Sequence, residues 1–212
     1  DWENRGYFVL GYGRSITFRD AKAYDLFSNS DRGRREQLDL TVPLSTLPHS
    51  FRLLTALSWS KEQVGSNGVL GGSYSSRFVH HEMHLQAGVA YEALRWMVPD
   101  LRLGVGLHLT QMRLWRPGAD QEFTDSWNPA VGGTANLGVT FRSPAFARSG
   151  AGHFPAGWLG VRFEAAYSLA RAQEFILNPQ DGGDFSIPTS GTSLGEVPIS
   201  AASLGVSILL GL

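Results

Sequence analysis

The chain has 212 residues, a formal net charge of −1 and no cysteine. That length suits one domain spanning 1–212, and the composition excludes a disulfide framework, a thiolate metal site and a strongly basic nucleic-acid binder. Glycine is abundant at 25, Trp, Tyr and Phe number 6, 6 and 12, and Lys22 and Lys61 are the only lysines among 18 basic residues.

In chain order, eight segments alternate between apolar and polar side chains, the two-residue period of a strand with two unlike faces. The first, about Tyr7–Phe18, sets Phe8, Leu10, Tyr12, Ile16 and Phe18 against Gly11, Gly13 and Ser15, with Arg14 interrupting the apolar face. Glu36–Leu44 sets Leu38, Leu40, Val42 and Leu44 against Gln37, Asp39 and Thr41. After a short turn at Ser45–Ser50, Phe51–Ser60 puts Phe51, Leu53, Leu57 and Trp59 on its apolar side. The fourth, Arg77–Ala93, opposes Val79, Met83, Leu85, Ala87, Val89 and Tyr91 to His80, Glu82, His84, Gln86 and Gly88.

The turn Arg95–Asp100 leads into Leu101–Trp115, the cleanest alternation in the chain. Leu101, Leu103, Val105, Leu107 and Leu109 oppose Arg102, Gly104, Gly106, His108 and Thr110. Ala130–Arg142, Trp158–Arg171 and about Ile199–Leu212 repeat the pattern. No run of about 18 apolar residues exists, so no membrane-spanning helix is predicted. Strands of this kind need only about 9–11 residues to cross a bilayer and are half polar. The pattern predicts an all-β, eight-stranded, antiparallel up-and-down transmembrane barrel.

Connections alternate in length. Loops at 19–35, 61–76, 116–129 and 172–197 are long, those at 45–50 and 95–100 short, and Ser143–Gly157 is a long exception at the short-turn end. This rhythm predicts extracellular loops and periplasmic turns, with both termini periplasmic. The absence of a leader at Asp1-Trp2-Glu3 is expected of a processed, exported chain. Trp59 and Trp115 are predicted in an outer aromatic girdle, and Tyr91, Trp96, Phe141 and Trp158 in an inner one. A soluble barrel of the lipocalin kind would carry the same alternation with its faces exchanged. Here the polar faces hold Gly, Ser, Ala and Thr punctuated by Arg, Glu and His, which suits a narrow, self-paired lumen.

At this point the chain resembles the eight-stranded outer-membrane barrels of Gram-negative bacteria, the OmpA-type and OmpX-type group. Its last strand, Ser203-Leu-Gly205-Val-Ser-Ile208-Leu-Leu210, resembles the signal read by the barrel-assembly machinery, with Leu212 where an aromatic residue is usual. The resemblance implies the bacterial outer membrane as location, membrane lipids and lipopolysaccharide as surroundings, and the assembly machinery as a biogenesis partner. Fold alone does not fix function.

Two constellations are candidates for chemistry. Arg52, Arg102, Arg142 and Arg162 are predicted near the periplasmic end of the lumen. Four like charges there need carboxylates, Glu164 first, or bound anions, because unpaired buried charge is costly. His80, Glu82 and His84, with His108 on the next strand, form a polar lumen network. Alternate residues lie about 6.5–7 Å apart along a strand, so His80 and His84 are not expected to bind one ion together, whereas two of the three with His108 could converge on one Zn²⁺-like ion. A buried network that fills the lumen is the preferred reading, and no metal and no cofactor is assigned.

His81 is predicted on the lipid side without an outward serine and carboxylate, and a triad from Ser73, Ser75 or Glu62 has no specific support. Gly65-Ser-Asn-Gly68 and Gly71-Gly72 read as loop punctuation, and no basic run with interleaved aromatics suggests nucleic acid. The expected function is a non-enzymatic envelope barrel with a side-chain-filled lumen, structural or docking a partner through 143–157 or the outer loops. A small-solute or anion conduit, a lipid-modifying enzyme and a soluble binding barrel are the alternatives.

Overall fold

The computed structural model describes residues 8–19, 32–69, 73–92, 94, 96–118, 122–144, 157–180 and 192–212. Its strands are β1 (Val9–Phe18), β2 (Arg32–Leu47), β3 (Phe51–Val69), β4 (Tyr74–Tyr91), β5 (Met97–Trp115), β6 (Glu122–Thr124), β7 (Asn128–Arg142), β8 (Trp158–Ala170), β9 (Gln173–Gln180), β10 (Thr192–Val197) and β11 (Ala201–Gly211). Eight of them close a ring of antiparallel neighbours: β1, β2, β3, β4, β5, β7, β8 and β11, with β11 returning to β1. Closure leaves no edge strand in the ring, as a bilayer requires, since lipid cannot satisfy unpaired N–H and C=O groups.

The register fixes the geometry of that ring. Following paired residues from Leu109 on β5 through His81, Lys61, Glu36, Arg14, Val206, Phe163 and Val139 returns to β5 at Pro99. The stagger is ten residues toward the end that holds the termini, and such a stagger tilts the strands against the barrel axis.

Side-chain exposure decides which face is inside. Val105, Val131, Leu169 and Ile208 are 67, 77, 60 and 64 % exposed, whereas His80, His108 and Thr110 are 0 % exposed. The apolar face therefore looks outward. A continuous exterior of Leu, Val, Ile and Phe far exceeds the apolar patches that water-soluble monomers show. The soluble-barrel alternative is corrected accordingly: apolar residues do not line a ligand cavity in the ring.

The long-loop assignments need revision. β3 continues to Val69 and β4 begins at Tyr74, so most of 61–76 is hairpin rather than loop. The 116–129 connection contains β6, and 172–197 contains β9 and β10. β6 pairs with β5 past the point where β7 ends its own pairing, β9 pairs with β6, and β10 with β9. These short strands carry the wall beyond the ring at the end away from the termini. At the termini end, β2 and β3 join through Pro48–Ser50, with His49 and Ser50 in the left-handed region. Most of the 143–157 connection, and of the 19–35 loop the part from 20 to 31, lies outside the described residues.

Aromatic bands mark both ends of the outer face. Toward the far end, His81 stacks on Trp59 and meets Trp127, at ring-centroid distances of 5.8 and 5.5 Å. Toward the termini, Phe51 meets Tyr91 at 5.0 Å and Trp96 stacks on Phe141 at 6.1 Å. Trp158 departs from the girdle assignment. It shares inward parity with the buried Gly160 and lies 4.7 Å beneath the Arg142 guanidinium, at the lumen mouth.

Candidate functional site

The inward faces of the ring build a stack of polar layers. Nearest the termini, Arg52 and Arg142 share Glu92, each at 3.0 Å. One layer deeper, Asp100 accepts from Arg102 Nε at 2.7 Å and from Arg162 at 2.9 and 3.2 Å, and Arg162 also pairs with Glu164. Arg102 reaches Thr41 at 3.1 Å, and Gln37 donates to Asp39 at 2.8 Å. The four predicted arginines do gather at this end and line one cavity of about 40 Å³. Glu92 and Asp100 supply the counter-charges, together with the anticipated Glu164. Gly138 lies under the Arg162 guanidinium, where an added Cβ would overlap it.

A neutral layer follows. Gln86 donates to Ser58 at 2.9 Å and accepts from Asn136 at 3.3 Å, and Thr134 donates to Asn136 at 2.8 Å.

The histidines form the next layer. Glu82 accepts from Arg35 at 2.8 Å, with His80 and His108 nitrogens 3.5 and 3.8 Å from its Oε1 and His84 Nδ1 3.9 Å from its Oε2. Glu62 is held by Arg19 and Thr17. His108 sits between the other two imidazoles: His80 Nε2 is 3.1 Å from its Nδ1, and His84 Nε2 is 3.3 Å from its Nε2. Strand spacing alone keeps His80 and His84 apart, yet both rings meet on His108. Its ring also covers Gly132, where a Cβ would clash.

Arg19 Nη2 lies 3.1 Å from His80 Nδ1, and the Glu82 and Glu62 carboxylates lie 3.5 and 3.7 Å from the same nitrogen. The three imidazoles form one contiguous cluster between Arg19 and Glu82. Donor atoms of His80, Glu82 and His108 lie within 4.8 Å of one another, close enough to surround a cation. Arg19 and Arg35 occupy lone pairs of two of those three residues, and this competes with metal binding.

Beyond the histidines the inner face turns apolar. Val64, Phe78, Met112, Leu114, Phe175 and Ile199 form a buried cluster with Leu177, Val197 and Val69. Phe78 meets Phe175 edge-on at 6.2 Å. This plug is built where β9 and β10 continue the wall, and Thr110 bonded to Gln173 marks its lower boundary.

Arg19, Arg35 and Asp100 escape prediction from sequence because each lies in a stretch assigned to a loop or turn, whereas Glu92 lies inside the fourth segment without being singled out. Extending the alternation finds two of them, Arg35 sharing parity with Gln37 and Asp39 and Asp100 with Arg102; Glu92 already shares parity with Glu82 and Ala90. Ser75 and Glu62, considered for a loop triad, are both buried.

No known family of sequences matches this chain, and no curated protein matches it. Among solved structures, the outer membrane protein OprG from Pseudomonas aeruginosa aligns over 98% of this chain and 96% of its own, with 12% identity and a TM-score of 0.50. The chain has the fold of an outer-membrane β-barrel. A major outer membrane protein from Thermus thermophilus aligns over 96% of this barrel and 99% of its own chain, with 11% identity and a TM-score of 0.50. At such identities the likeness concerns the fold. The apolar belt and the closed ring independently require this outer-membrane barrel to sit in a bilayer.

Proposed function

We propose that this barrel is a non-enzymatic outer-membrane protein with a sealed lumen, one that acts as a structural or partner-docking subunit of the cell envelope. The observation that carries this reading is the stack itself: paired charges, an amide layer, the histidine cluster and an apolar plug succeed one another along the axis. The cavity among the arginines, at about 40 Å³, has room for little more than a water molecule. Each arginine of the predicted cluster has a carboxylate partner, which favours an internal salt-bridge plug over an anion-selective constriction.

Glu62, Ser75, Glu82, His80, His84 and His108 are buried in this interior, and the outward His81 packs against Trp59 and Trp127; that supports a non-catalytic role. Partner contacts then fall to the outward surfaces of β6, β9 and β10 and to 143–157. The last strand offers its Ser203, Gly205 and Ser207 inward and Leu204, Val206 and Ile208 outward, a form suited to the barrel-assembly machinery. Planar-bilayer recording on the refolded protein tests the seal. We expect no steady unitary conductance; reproducible channels would overturn the sealed reading in favour of a conduit. Changed lipid A masses on expression would replace the non-enzymatic reading with a lipid-modifying one.

A further inference from the structure

One ion pair stands on the outward face of the ring, inside the apolar belt. Arg14 on β1 has Phe8, Leu10 and Tyr12 toward the termini and Ile16 and Phe18 toward the far end, all outward and all exposed. Its register partners are Val206 on β11 and Glu36 on β2. The guanidinium lies 3.3 Å from the Glu36 carboxylate, and the two side chains are 74 and 54 % exposed. Leu38 and Leu40 continue the belt from Glu36 toward the termini. In a lone barrel this pair meets acyl chains.

Such exposure is costly: an arginine on the lipid face near the midplane costs about 2–4 kcal/mol, a carboxylate less. Pairing within one copy leaves part of each group turned to hydrocarbon. The apolar side chains around it have no drive of their own to associate, since lipid tails are as apolar as leucine. Polar groups differ, because a protein partner can offer them hydrogen bonds that lipid cannot. Of the whole β1–β2 face, the ion pair therefore gains most from a protein neighbour.

The arrangement of the two charges fits a second copy. Copies of one chain enter the membrane in one orientation, so a closed pair is related by a two-fold axis along the membrane normal, with reciprocal contacts. When that axis passes between β1 and β2, Arg14 of each copy faces Glu36 of the other, and both contacts form at once. An axis through β2 would instead set Glu36 against Glu36 and Arg14 against Lys61, the register partner of Glu36 on β3. A partner of single charge would match one member of the pair and oppose the other. A second copy matches both.

We infer that the β1–β2 face is a self-association surface. Two copies of this barrel pack in the membrane about a two-fold axis between those strands, with reciprocal Arg14–Glu36 pairs among Tyr12, Ile16, Leu38 and Leu40. The inference does not depend on whether the lumen is sealed.

Energy transfer between labelled copies of the full chain, refolded into phosphatidylcholine vesicles and diluted with lipid, tests it. The chain has no cysteine, so Arg116→Cys, at an exposed far-end position, carries a single donor or acceptor. We expect transfer above the random-collision level that persists on dilution. Arg14→Glu and Glu36→Arg, taken singly, should each weaken association about tenfold, because each sets like charges across the axis. Mixing the two variants should restore transfer between them, although the pair within each copy stays broken; a merely structural role gives no such rescue. Lys61→Gln should leave association within about twofold of the parent. A heat-modifiable gel band shows that each variant folds. Transfer at the random level in the parent, single variants that associate like the parent, or a mixture no better than either variant alone would each overturn the surface. Loss of association in Lys61→Gln would overturn the axis between β1 and β2.

Discussion

The inner faces of β3, β4 and β5 change character along their length. Within the ring, inward positions are Ser58, Ser60, Glu62, His80, Glu82, Thr110 and His108, and outward positions are Leu57, Met83, Leu103 and Val105. Past the ring, the same inward parity holds Val64, Phe78, Met112 and Leu114, and the outward positions become Gln63, Arg77, Gln111 and Arg113. The backbone does not slip register between the two regions, because the pairing of β4 with β5 is continuous from Ser75 to Ala90. What changes is the medium outside. In the belt, lipid takes the apolar side and the polar side must satisfy itself within a narrow lumen. Beyond it, water takes the polar side and the hydrophobic effect packs the interior as in a soluble domain.

Substitutions on either side of this boundary test the contrast. Asp100→Leu should do the most damage, because it removes the paired carboxylate of Arg102 and leaves Arg162 with Glu164 alone. Breaking a buried pair costs about 3–5 kcal/mol, so urea unfolding in lipid vesicles should shift strongly or the folded gel band should vanish. A change below about 1 kcal/mol, the scale of an exposed pair, would show that the lumen is wet and the pairs weak. Phe175→Ala, in the plug, should cost about 3 kcal/mol, as for a buried aromatic in a soluble core, and raise protease sensitivity at the far end first.

Two outward substitutions on β5 locate the boundary more closely. Val105→Arg, at the centre of the apolar run, should destabilise by about 2–4 kcal/mol in a bilayer. Gln111→Leu, six residues along the same face, should stay within about 0.5 kcal/mol of the parent. Equal costs at the two sites would place the membrane boundary elsewhere.

Much of this arrangement is legible in the chain itself. Leu101 to Trp115 alone distinguishes its two faces, and eight such segments with alternating connection lengths are enough to expect a closed barrel. The polar lumen cluster is legible too: Arg52, Arg102, Arg142 and Arg162 do share one end, and His80, Glu82, His84 and His108 do meet. Most of their partners are not, because Asp100, Arg35 and Arg19 sit beyond the points where the clear alternation stops; Glu92 lies at the end of the fourth segment, where nothing in the pattern marks it as a partner of Arg52 and Arg142. The plug escapes for a related reason. In β9, Phe175 and Leu177 alternate with Glu174 and Ile176, a short and weak signal whose apolar side faces in.

Local pattern along the chain is sufficient for the strand period, for the two-faced chemistry of each strand and hence for the exclusion of a helical membrane protein. These properties depend only on neighbours two residues apart. Other properties exist only once the barrel has closed: the ten-residue stagger of the ring, the pairing of each arginine and the meeting of His80 and His84 on His108. Those outcomes bring together residues as distant as Arg19 and Ile199, joined at 3.2 Å. Closure sets such contacts between strands far apart in the chain, and a two-residue period does not encode them.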